Sequence, residues 1–192
     1  MTDIQTLDSQ YVAHTYARAP VTFVRGEGCH LYDEAGKPYI DMGSGIAVSA
    51  LGYGDEGWVA AVSAQAGQLA HASNLYHTAP QALLAQRLCE RTGMKRVFFG
   101  NSGAEANECA IKLARKYGSK TGRHTIISMV QSFHGRTMGA LKATGQTKYQ
   151  NGFAPLPEGF KYTEANNIEM LDAMIDDDTC AIMLEVIQGE AG

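Results

Sequence analysis

From about residue 96 onward, short apolar runs alternate with amphipathic ones. The spacing predicts a strand at 96–99, a helix at 103–117, a strand at 125–130, a loop, a helix at 167–175 and a strand at 180–187. A β/α series of this kind buries its strands on both faces and demands a mostly parallel sheet covered by helices. The first half of the chain reads differently. Residues 1–20 are polar and irregular up to Pro20. VTFVR (21–25), CHLY (29–32) and a third strand within DEAGKPYID (33–41) predict a small antiparallel meander. A glycine-rich loop covers 43–57, long enough to be a candidate functional loop. Helices are expected at 57–71 and 79–91, the second with Pro80 in its first turn and Thr78 and Gln81 as a capping-box pair. No internal repeat or low-complexity tract interrupts the chain.

Composition removes several function classes. A net charge of −4 provides no basic field for nucleic acid or an anionic membrane surface. No apolar run is long enough to span a bilayer, and MTDIQTLDSQ has neither the basic nor the apolar region of a secretory signal. Cys29, Cys89, Cys109 and Cys180 form no CxxC pair, which fits a reducing, cytoplasmic setting. The six histidines show no metal-ligand spacing, so no metal is expected.

Three stretches carry chemistry. In FGNSGAEANE, Ser102 and Glu105 satisfy an S-x-x-E capping box, which by itself explains the helix start. Gly103 adds something a cap does not require. Without a Cβ it leaves the exposed N–H groups of the first turn open to an anion, which the helix dipole also favours. The pattern is neither GxGxxG nor a Walker loop, so the expected anion is a phosphate carried by another cofactor. In SFHGRT (132–137), at the end of the strand 125–130, Phe133 and His134 offer flat faces and Arg136 a planar fork for a carboxylate. Core packing for Phe133 and a surface charge for Arg136 are the competing readings. In LEVIQGEAG (184–192), Glu185 interrupts an apolar strand and reads as a paired structural acid, while Glu190 follows the strand end.

Together NSGAEANE, SFHGRT, ATGQTKYQNGFAPLPEGF and IQGEAG, in this order, resemble the class III (subgroup II) pyridoxal-phosphate aminotransferases, in particular their acetylornithine and ornithine branch. The likeness runs from about Tyr16 to Gly192. It implies an α/β fold of the fold type I transferases. Residues 1–45 would be a small-domain segment, and 46–192 the first half of the large, mostly parallel-sheet, cofactor-binding domain. It further implies a cytoplasmic homodimer with shared active sites and pyridoxal 5′-phosphate as cofactor. By the same resemblance Ser102, Gly103 and Ala104 cup the cofactor phosphate, Phe133 stacks on its ring with His134 beside it, and Arg136, Glu190 and Tyr16 face the substrate.

The resemblance implies transfer of an amino group from N-acetylornithine to 2-oxoglutarate, giving N-acetylglutamate semialdehyde and glutamate, a step of arginine biosynthesis. Gly45 in SGIAVSALG is the residue that favours an acylated donor. Ornithine, succinylornithine and 4-aminobutyrate are the alternatives, as is a non-catalytic fragment keeping part of the cofactor cup and dimer surface. Two departures stand out: Val186 where the family usually has proline, and Gly52-Tyr53-Gly54-Asp55-Glu56 where it has a G-H-x-H-P-like loop. The family's Schiff-base lysine and ring-nitrogen aspartate follow the QGE motif and are expected beyond Gly192. None of the eight lysines present has that context, and Lys142 reads as a solvated loop charge. No catalytic residue is therefore assigned, and the 192 residues alone are expected to be inactive.

Overall fold

A computed structural model describes residues 3–192 as two compact units, divided between Gln81 and Ala82. In the first unit, α1 (Ile4–Tyr11) forms where the sequence read as irregular. Asp3 explains it: the carboxylate accepts from the N–H groups of Gln5 and Thr6, satisfying two of the helix's unpaired donors. β1 (Phe23–Glu27), β2 (His30–Asp33) and β3 (Pro38–Ile40) form the expected antiparallel meander in the order β1-β2-β3.

The glycine-rich loop then makes one turn, α2 (Ser44–Ala47), with left-handed φ of +47°, +60°, +60° and +63° at its four residues. Three of these are not glycine, so the turn is costly and must be held. Asp41 holds its entry, accepting from the N–H groups of Gly43 and Ser44 and from the Tyr53 hydroxyl at 2.7 Å. Tyr53 also bridges Gly28, so the departed 52–56 loop is tied to the meander. α3 (Glu56–Gln68) is capped by Asp55, and α4 (Ala79–Thr92) begins just before the unit boundary. Among the described residues up to Gln81, none is buried.

The second unit carries the α/β series: α5 (Gly103–Gly118), β4 (Thr125–Met129), α6 (Met138–Ala143), α7 (Thr147–Gln150), β5 (Phe160–Thr163), α8 (Ile168–Met174) and β6 (Thr179–Ile182). Its three strands are parallel in the order β5-β4-β6. The central β4 is buried, with Ile127 wholly inaccessible, and Ile126 packs with Ile111 of α5 and Ala143 of α6. The parallel sheet is thus as expected, with three corrections. Residues 96–99 form no strand, pairing with none among the described residues, and Phe98 is 62% exposed, because an apolar run becomes a strand only where a partner edge meets it. The stretch 138–163 contains two short helices and β5, and Lys142 lies in α6 rather than a loop. Finally, β6 ends at Ile182 rather than 187: the Met183 N–H still donates to the Ile127 carbonyl at 2.8 Å, and beyond it Glu185 accepts from the Phe133 N–H instead. No helix among the described residues is long and apolar enough to cross a membrane.

Candidate active site

The site gathers around the N-terminus of α5. Ser102, in extended conformation, caps the helix by accepting from the Glu105 N–H at 3.1 Å. Glu105 reaches back to the N–H of Asn101 at 2.6 Å, one residue earlier than the reciprocal box requires. The N–H groups of Ser102, Gly103 and Ala104 are consequently left without an acceptor among the described residues. A Cβ built on Gly103 would meet no atom within 4 Å, so space lies open over these donors. Three unpaired donors, a 16-residue helix dipole and open space form a chemically suitable seat for a phosphate.

The SFHGR loop is pressed against this helix end by Gly135. Its φ is +128°, and a Cβ there would lie 2.8 Å from the Cβ of Ala104, so only glycine permits the approach. From the helix side, Asn107 donates to the carbonyl of His134 at 2.6 Å. Glu108 accepts from the Thr137 hydroxyl and the Ala140 N–H, fixing the start of α6.

His134 is only 5% exposed. Its N–H donates to Thr144 Oγ1 at 2.9 Å, and its Nε2 lies 3.2 Å from Ser128 Oγ. Burial holds its imidazole pKa below the ordinary value, opposed in part by the charge of Glu185. This ring is a buried anchor of the loop. Glu185 is the paired structural acid expected: it accepts from the Phe133 N–H at 3.0 Å and joins the end of β6 to the loop after β4.

Phe133 is half-buried, its ring edge-on to Tyr149 with centroids 5.6 Å apart. Arg136 is exposed, its guanidinium carbon 6.0 Å from the Phe133 ring centre and 5.5 Å from that of Tyr149. Glu190 accepts from the Tyr149 hydroxyl at 2.8 Å and from Gln146 Nε2 at 3.4 Å, with Lys148 Nζ 3.8 Å away. The structure therefore brings Ser102, Gly103, Ala104, Phe133, His134, Arg136 and Glu190 into one unit. Tyr16 belongs to the other unit, is 63% exposed, and has the Arg18 guanidinium carbon 6.0 Å over its ring. Lys142 places its Nζ 5.8 Å over the Tyr162 ring. The residues missed from sequence are Asn107, Ser128, Thr144, Gln146 and Tyr149. All but Ser128 fall in stretches already singled out, but their partners lie elsewhere in the chain, so their roles carry no local signal.

A parallel α/β unit with unpaired N–H donors at a helix N-terminus, an aromatic and an arginine at the adjoining strand end, has the chemistry to receive an anionic, ring-bearing ligand. The match to known proteins makes this specific: residues 11–192 fit the model of the family described as aminotransferase class-III, and the chain belongs to that family. Acetylornithine aminotransferases from Wolinella succinogenes and Caldanaerobacter subterraneus are 49% and 53% identical to it, over 98% and 97% of the chain. The chain spans about half the length of these curated relatives, 49% and 48%. Among solved structures, ornithine aminotransferase from Toxoplasma gondii superposes with a TM-score of 0.90 at 28% identity, over 96% of this chain and 45% of that one. The taurine:2-oxoglutarate aminotransferase of Bifidobacterium kashiwanohense, solved with PLP and glutamate, gives 0.85 at 29% identity, over 94% and 47%. The fold type I architecture expected from the resemblance is thereby the fold of this chain.

Proposed function

We propose that the protein containing this chain is a pyridoxal-phosphate-dependent aminotransferase that takes its amino group from N-acetylornithine and passes it to 2-oxoglutarate, in arginine biosynthesis. The observation carrying this reading is the convergence at α5: three unpaired N–H donors under open space at Gly103, with the Phe133–Arg136 loop locked against them by Gly135. The names of the relatives support the acetylornithine branch.

In this reading Ser102, Gly103 and Ala104 hold the cofactor phosphate through backbone N–H groups. Phe133 covers one face of the ring, and His134 keeps that loop in place from beneath. Arg136 binds a substrate carboxylate through its planar fork, and Glu190 faces the substrate near the cofactor ring; Tyr16 is a substrate-contacting residue of the full-length protein. When bound, pyridoxal phosphate supplies the electron sink that makes the substrate's C–H bond acidic. The site residues here bind and orient; none is assigned the proton transfer.

Gly45 supports the acylated donor by resemblance alone, since the absence of a side chain there leaves room for an acyl group. Other ω-amine donors are the alternatives. We further propose a cytoplasmic homodimer with shared active sites, in which residues 1–45 belong to a small domain and 46–192 to the large one. Steady-state assays of the full-length protein with N-acetylornithine, ornithine, succinylornithine and 4-aminobutyrate test the reading. The expected result is the highest kcat/KM for N-acetylornithine. Preference for another donor would reassign the substrate, and no transamination with any would reject the activity.

A further inference from the structure

Along α5, Ala104, Asn107, Glu108 and Ile111 follow one another at helical spacing and so share one stripe of the helix. Each meets the segment that runs from the SFHGR loop into α6. Ala104 lies against Gly135, and Asn107 donates to the His134 carbonyl at 2.6 Å. Glu108 accepts from the Thr137 hydroxyl and the Ala140 N–H, and Ile111 packs with Ala143. Arg136 sits between the two polar anchors, two residues after His134 and one before Thr137. We propose that Asn107 and Glu108 are positioning residues that hold Arg136 at a fixed place relative to the N–H donors of Ser102, Gly103 and Ala104. They thereby set where a substrate carboxylate lies relative to the cofactor. The inference rests on the function proposed above.

A cap for α6 is the plainer role for Glu108, and the geometry exceeds it. Thr137 occupies the N-cap of α6, where a threonine hydroxyl ordinarily accepts from its own helix. Here it makes no such bond and donates to Glu108 instead, so a local cap is exchanged for a tie to α5. The same carboxylate oxygen takes the Ala140 N–H at 3.0 Å. Gly139 lets the carboxylate in, since a Cβ there would lie 2.6 Å from Glu108 Oε2 and 2.8 Å from Oε1. On the other side of Arg136, Asn107 bonds a backbone carbonyl, which fixes the path of the chain rather than one side chain. Both anchors lie little more than one helical turn beyond Gly103, on the same rigid helix as the N–H donors.

Positioning of this kind acts on the substrate carboxylate and not on the cofactor phosphate. The first turn of α5 is held by Ser102 and by the helix's own hydrogen bonds, none of which involves the Asn107 or Glu108 side chain. Loss of either anchor should therefore weaken carboxylate binding selectively.

The test uses the full-length protein loaded with pyridoxal phosphate. The binding probe is glutarate, a dicarboxylate with neither an amino nor an oxo group. Glu108→Ala is expected to raise the glutarate dissociation constant in calorimetry about tenfold, as a displacement of Arg136 by well under 1 Å can do. It should lower kcat/KM by a similar factor for each substrate that Arg136→Lys affects. Glu108→Gln, whose amide oxygen can still accept from Thr137 and Ala140, should recover most of the loss. Asn107→Ala should reproduce part of it. The cofactor dissociation constant from equilibrium dialysis should stay near the parent's in all three. Adding Glu108→Ala to Arg136→Lys should change little further, because the two act as one unit. Were Glu108→Ala not to fold, Glu108→Asp, which withdraws the carboxylate by one methylene, carries the same expectation. Glutarate affinity and kinetics unmoved in Glu108→Ala while Arg136→Lys weakens both would overturn the positioning role and leave the proposed function standing. Full additivity with Arg136→Lys, or no recovery in Glu108→Gln, would also overturn it. An Arg136→Lys protein with unaltered binding and kinetics would overturn it too, by removing the anchor to be positioned. Full-length protein that transaminates no donor would remove the function and this inference together.

Discussion

Arg136 and Gly103 carry opposite burdens. Arg136 is proposed to work by what its side chain presents, and Gly103 by having none. Arg136→Lys keeps the charge but replaces a planar two-point fork with a single ammonium, so kcat/KM should fall by about 2–3 kcal/mol of transition-state binding. Steady-state kinetics with both substrates would show it, and an unchanged value for donor and oxo-acid alike would return Arg136 to the status of a surface charge. Gly103→Val projects a branched side chain into the space over three unpaired N–H groups. Because an added Cβ there touches nothing in the protein, folding should change little, by under about 1 kcal/mol. Cofactor affinity, measured by equilibrium dialysis, should fall at least about tenfold. Retention equal to the parent's would place the phosphate elsewhere.

The loop after β4 determines how these residues meet. Gly135→Ala must combine a φ of +128° with a Cβ only 2.8 Å from that of Ala104, so chemical unfolding should show a loss of about 2 kcal/mol or more. His134 gives the loop a pH dependence. Its buried ring disfavours the proton, so just below the ordinary histidine value of about 6.5 the unfolded chain binds more protons than the folded one. Stability from this residue is intact above that pH and declines as pH falls toward the lowered folded value. His134→Gln should therefore flatten the difference in urea midpoint between about pH 7.5 and pH 5.5; an unaltered difference would assign it to other groups. How much of this was legible depended on how local the cause was. The start of α5 was readable because Ser102 and Glu105 act within one turn. α1 was missed because a single capping aspartate precedes a helix with no buried face. β5 was missed because Phe160-Lys161-Tyr162-Thr163 becomes a strand only by pairing with β4, more than thirty residues earlier.

At the scale of the molecule, the motif-bearing residues from 102 to 190 fall in one unit and Tyr16 in the other. The places of Ser102, Phe133 and Arg136 at a helix start and beyond a strand end could be read from sequence, since each sits on a recognisable local motif. The tie between Tyr149 and Glu190 could not, because it joins positions 41 residues apart. The second unit also leaves large apolar side chains in the open, among them Phe98, Leu113 and Val186, the last where the family usually has proline. With these faces and the β5 and β6 edges uncovered, the isolated 192-residue polypeptide should self-associate, as sedimentation velocity would show; a stable monomer at all concentrations would contradict this. The central claim is that the N-terminus of α5 is the cofactor's phosphate seat. A crystal structure of the full-length protein with pyridoxal phosphate tests it most directly. The phosphate should lie within hydrogen-bond distance of the N–H groups of Ser102, Gly103 and Ala104, with the ring against Phe133. A cofactor bound away from α5, or a phosphate held without those N–H groups, would contradict it.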